Sequence, residues 1–159
     1  MIRPILSHPD PVLRRRCAPV GAVSDGTRTL IRDLTDTMYH AGASGLSAPE
    51  LGVLLRVFVV DGGGPGAERA PVAFVDPRVV AAAREVAVSE ETCPSVPGRS
   101  RRVARPRWIA LRWTDPTGAL REGRFEGAWA VEVQHEADHL DGRLILDHDD
   151  AGPPAEASR

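Results

Sequence analysis

The residues best equipped for chemistry stand in Val133 to Gly142, VQHEADHLDG. His135 and His139 are four apart, so on a helix they lie one turn apart on one face, and both imidazoles can be directed at a single ion. Glu136, next to the first of them, can reach a water on that ion and act as its base. By chance the H-E-x-x-H pattern is expected in roughly one chain in a hundred of this composition.

An open catalytic site needs a third protein ligand. Metalloproteases that continue the motif as H-E-x-x-H-x-x-G-x-x-H would need a histidine at 145, where Ile145 stands. Thermolysin-like enzymes use a glutamate on a later helix, and the one glutamate after His139 is Glu156, near the end of the chain. The soft ligand that remains is Cys93 in EETCPSVPG, after the strand-like REVAVS. Cys17, beside Arg14 to Arg16, reads as a small buried residue.

The elements that must hold these groups are legible from periodicity. Leu30, Ile31, Leu34 and Met38 share one face of a helix from Ser24 to Ala41, with Ser24 or Asp25 as its cap. A second helix runs from Glu126 to Leu140 and ends before Gly142, so HEADH sits within it. Leu55 to Asp61, Val72 to Phe74, part of Val79 to Val88, and Trp108 to Trp113 read as strands. Asp115-Pro116-Thr117-Gly118 is a turn leading to a further strand, Ala119 to Phe125. The order of elements gives an α+β fold, antiparallel sheets packed on the two helices, in one domain over residues 1–150 with a disordered tail at 151–159.

Twenty basic against 22 acidic side chains, a net charge of -2, leave no field that would gather nucleic acid or an anionic membrane. The opening MIRPILSHPDPVLRRRC has no continuous apolar run and no later stretch could span a bilayer, so a cytoplasmic protein with reduced cysteines is expected.

Three motifs in order resemble those of the peptide deformylases. G-x-G-L-A-A-x-Q is matched by Ala43 to Glu50 (ASGLSAPE), E-G-C-L-S by Glu91 to Ser95 (ETCPS), and H-E-x-D-H by His135 to His139 (HEADH). HPDPVLRRRCAPV also resembles the family's opening segment. The resemblance implies one Fe(II) or Zn(II) ion on Cys93, His135 and His139, with Glu136 as proton carrier, and hydrolysis of an N-formyl amide on a peptide or small molecule. It implies that Ser44, Gly45 and Leu46 pair with substrate as an added strand, Gly45 allowing close approach.

Several positions depart from the family pattern. Glu50 stands for the glutamine that helps to hold the oxyanion, and Pro94 for a leucine whose N–H does the same. Proline has no N–H, and loss of one such donor costs about 3–4 kcal/mol of transition-state stabilisation. Glu50 either acts catalytically, ionised or protonated, or turns outward to solvent or an arginine. In the pocket that receives methionine in the family, Glu132, Ser89 and Ala128 replace apolar or larger residues. The expectation is a formamide hydrolase with an altered substrate preference. The alternatives are a housekeeping formyl-methionyl peptide deformylase and a catalytically silent metal-binding relative.

Overall fold

Four consecutive apolar residues, Val57-Phe58-Val59-Val60, sit at the centre of the architecture, because side chains along a strand alternate between faces. Val57 and Val59 pack with Leu30, Ile31, Leu34 and Met38, while Phe58 and Val60 pack with Ala130, Val133 and Leu140. One sheet is therefore covered by a helix on each side.

The computed structural model describes residues 1–153. Its helices are α1 (Asp25–His40) and α2 (Gly127–Leu140), and its strands are β1 (Gly45–Ser47), β2 (Val57–Val60), β3 (Val72–Ala82), β4 (Val86–Thr92), β5 (Ser100–Pro106), β6 (Trp108–Thr114) and β7 (Leu120–Glu126). Five strands form an antiparallel sheet in the order β1-β2-β3-β6-β7, and β4 pairs with β5 in a separate two-stranded sheet. This is the expected α+β fold. No helix among the described residues is long and apolar enough to cross a membrane. Of the tail expected at 151–159, residues 154–159 lie outside the described part.

Ser24 caps α1 by accepting the Thr27 N–H, as its position suggests. Between α2 and the sheet, Phe74 is the hub of an aromatic cluster, 4.9 Å from Phe58, 4.8 Å from Trp113 and 5.5 Å from Phe125 between ring centres. Burial of each such ring contributes about 2–3 kcal/mol. A third cluster, Leu13, Cys93, Val96, Leu144 and Ile145, joins the N-terminal segment, the loop after β4 and the segment after α2.

Two strand expectations need correction. Val72 to Phe74 and the following valines belong to one strand, β3, which continues through Asp76-Pro77 because its pairing with β6 slips between Val75 and Arg78. Asp76 takes a positive φ of 49° there, and its carboxylate accepts the N–H groups of Val20 and Gly21. Ser100–Pro106, SRRVARP, was not expected as a strand. Its apolar alternation is hidden by arginines, one of which is buried by an ion pair.

Candidate metal centre and catalytic site

Helix α2 starts directly from β7 at Gly127, whose φ is +58°, and Gln134 fastens it to β5 by donating to the Pro106 carbonyl. It ends where Gly142 passes the N-terminal segment. A Cβ at Gly142 would meet the Arg14 carbonyl oxygen at 2.4 Å, and its φ of +73° also demands glycine.

His135 and His139 of this helix are buried beside Cys93, which follows β4. One ligand atom from each of the three lies within 4.8 Å of the others, and Cys93 Sγ is 3.4 Å from His139 Nε2. Ligands on a tetrahedral ion, with sulfur at about 2.3 Å and nitrogen at about 2.0–2.1 Å, are separated by roughly 3.3–3.6 Å. The donor set therefore fits a transition ion in type, and the Cys93–His139 separation fits it in spacing. Two buried polar atoms here, His139 Nδ1 and Glu136 Oε2, have no hydrogen-bond partner among the described residues.

His135 is oriented from behind. Its Nδ1 is 3.0 Å from Glu91 Oε1, which leaves Nε2 to face the cluster. Arg105 grips both Glu91 oxygens, Nε to Oε2 at 2.7 Å and Nη2 to Oε1 at 2.9 Å, and donates to Asp138 at 3.0 Å. Asp138 is also 2.7 Å from His148 Nε2. Burial pushes the Glu91 carboxyl up, but His135 and Arg105 outweigh it and hold the group below the usual carboxylate range.

Glu50 is fully buried, which corrects the expectation that it might turn outward to solvent or an arginine. Its Oε1 accepts the Ser47 N–H at 3.1 Å and the Ser47 hydroxyl at 2.9 Å, and its Oε2 accepts the Ser95 hydroxyl at 2.7 Å. Burial raises its pKa, but His139, Ser95, His135 and the Ser47 N–H outweigh that and leave it lowered. Glu136 goes the other way: burial first, then Glu50 and Glu132, hold it well above the usual range. Burial, followed by Glu50 and Glu136, likewise pushes the Cys93 thiol up, so a cation is what would make it a thiolate.

A cavity of about 280 Å³ opens onto Cys93, His135 and Glu136, with Ser44, Gly45, Pro94 and Glu132 among its other walls. Gly45 is required by Glu136 itself, whose Cγ would lie 2.9 Å from a Cβ at that position. One expected substrate contact is placed elsewhere, and another is left only its backbone. The Leu46 side chain is fully buried under α1, on the opposite face of β1 from the cavity. Ser89 does not share the cavity with Glu132; with Ala128, Pro106, Trp108 and Val131 it lines another groove, of about 580 Å³.

Sequence reasoning assigned no role to Glu91, Arg105, Asp138, Ser47 or Ser95. Glu91 stands two before Cys93 on its strand, a usable signal. Ser47-Ala48-Pro49-Glu50 also spells a capping box, in which the glutamate turns back to the N–H of the serine. No local pattern marks Arg105.

The model of the polypeptide deformylase family matches residues 2–152. A peptide deformylase of Rhizorhabdus wittichii is 44% identical over 154 residues, covering 92% of this chain and 86% of that protein. The crystal structure of peptide deformylase from Thermotoga maritima superposes with a TM-score of 0.87 at 35% identity, over 93% of this chain and 97% of that one. A class I type b peptide deformylase from Acinetobacter baumannii, in its Met-Ala-Ser-bound crystal structure, gives a TM-score of 0.88 at 27% identity over 94% and 99% of the two chains. Fold and family together define a metal-dependent hydrolase. The chain belongs to the peptide deformylase family.

Proposed function

We propose that this protein removes the formyl group from the N-terminus of peptides in the cytoplasm, with one Fe(II) or Zn(II) ion held by Cys93, His135 and His139. The observation that carries the reading is the convergence of those three donors beside the buried Glu136 carboxyl. Cysteine with two histidines suits either ion. Both cysteines are free, as in a reducing compartment.

When bound, such an ion supplies Lewis acidity for the formyl oxygen and makes a water more acidic. Glu136 takes a proton from the attacking water and delivers it to the amide nitrogen, as the C–N bond breaks to give formate and a free amine. Ser44 and Gly45 border the cavity at the outer edge of β1, the terminal strand of its sheet, where an extended peptide can pair. Neither Glu50, an acceptor in all three of its hydrogen bonds to Ser47 and Ser95, nor Pro94, without an N–H, donates to a developing oxyanion.

The closest test is hydrolysis of formyl-Met-Ala-Ser by metal-loaded protein. Glu136→Ala should retain the ion and lose about 10²–10⁴-fold in kcat. Metal-loaded wild type that turns over no formyl peptide would instead support a silent metal-binding relative.

Glu132 favours a second reading, a preference for a polar or cationic side chain next to the formyl amide. It is half-buried on the cavity wall, burial raises its pKa, and no ion pair engages it among the described residues. Ser89 and Ala128, lining the neighbouring groove, are small. Formyl-Lys peptides should then outperform their formyl-norleucine counterparts, and Glu132→Gln should abolish the difference. Formyl-Met or formyl-norleucine peptides cleaved in preference by wild type would leave the housekeeping reading alone.

A further inference from the structure

Glu50 is a completely buried carboxylate that no arginine pairs with among the described residues. Its hydrogen bonds come from an amide, two hydroxyls and the Cys93 thiol, all neutral, and the ionisable nitrogens beside it are those of His135, farther off, and His139 Nε2, 3.7 Å from its Oε1. That nitrogen belongs to the candidate ligand set, and so does Cys93 Sγ, 3.8 Å from Oε2. An unpaired buried charge is among the most expensive features a fold can carry. A thiolate at Cys93 would add a second negative charge within those 3.8 Å.

We propose that Glu50 is the counter-charge of the metal site formed by Cys93, His135 and His139, and that it raises the affinity of that site for a divalent cation. The inference rests on the metal reading of the proposed function and deepens it. The two carboxylate oxygens are divided between two parts of the fold. Ser47 fixes Oε1 from the end of β1, and Ser95 fixes Oε2 from the loop two residues beyond Cys93. The Glu50 carbonyl accepts the Leu6 N–H and the Ser95 carbonyl the His8 N–H, so the N-terminal segment ties the same two parts together. The charge is thereby held still beside the donors, and Cys93 is held within reach of His139. Its cost to the fold without metal is recovered when a dication arrives.

The test is Zn²⁺ affinity of the full-length protein by competition with a chromogenic chelator, together with urea unfolding of chelator-stripped protein, for wild type and Glu50→Gln. Glutamine keeps the shape and removes the charge. The expected result is a loss of affinity of about 10–100-fold, with an unfolding midpoint of the metal-free variant equal to or above that of wild type. A residue that served only to hold the fold would lower both together. Affinity within fivefold of wild type, or a fall accompanied by a lower metal-free midpoint, overturns the proposal while leaving the deformylase reading in place. Wild type that binds no divalent ion at all removes both.

Discussion

Glu91 and Glu50 are buried glutamates on opposite sides of the same cluster, and they are neutralised in contrasting ways. Glu91 has a complete set of ionic partners within the fold: Arg105 grips both oxygens and His135 takes one of them. Glu50 has hydroxyls, an amide and a thiol, and no arginine among the described residues; the imidazole near it, His139, belongs to the candidate ligand set. The contrast teaches that one flank of the site is finished by folding alone, while the other is arranged around a charge the polypeptide does not contain. A buried pair that is internally balanced needs no metal to offset its charge, whereas an unbalanced carboxylate couples folding to the ion.

Breaking the balanced flank should have the largest effect on stability. Arg105→Ala strands Glu91 and removes a partner of Asp138, so a loss of about 3–5 kcal/mol in urea unfolding is expected, with or without metal. Ser95→Ala tests the other flank. One hydroxyl is withdrawn from a buried carboxylate, which should cost about 1–3 kcal/mol in metal-free protein, and visibly less once Zn²⁺ is bound. A loss that ignores the ion would erase the distinction between the flanks. The smallest effect belongs at the outer end of the balanced chain. Asp138 keeps Arg105 and Arg143 when His148 is removed, so His148→Ala should cost less than about 1 kcal/mol and leave Zn²⁺ affinity within threefold.

The two flanks also differed in how far they could be read ahead of the structure. H-E-x-x-H placed His135, Glu136 and His139 on one helix, and elimination of other ligands led to Cys93, because helical spacing is local and ligand types are few. Glu50 could be located but not oriented. Its spacing from Ser47 carried the answer in the form of a capping box, whereas its partner Ser95 comes from a loop 45 residues away. Leu46, grouped with Ser44 and Gly45 as a substrate contact, turns its side chain to α1, since neighbours on a strand point to opposite sides, and keeps only its backbone for pairing.

By itself the sequence determined the two helices, the hairpin at Asp115 to Gly118, the donor residues and the family resemblance, all of which rest on contiguous motifs or short-range periodicity. Tertiary structure decided which arginine of Arg101, Arg102, Arg105 and Arg107 reaches Glu91, which way the Glu50 carboxylate turns, and which side chains border the cavity. Four arginines within seven residues are chemically identical along the chain. Only the alternation of β5 and its packing against α2 bury one of them between two carboxylates and leave the others nearer to water.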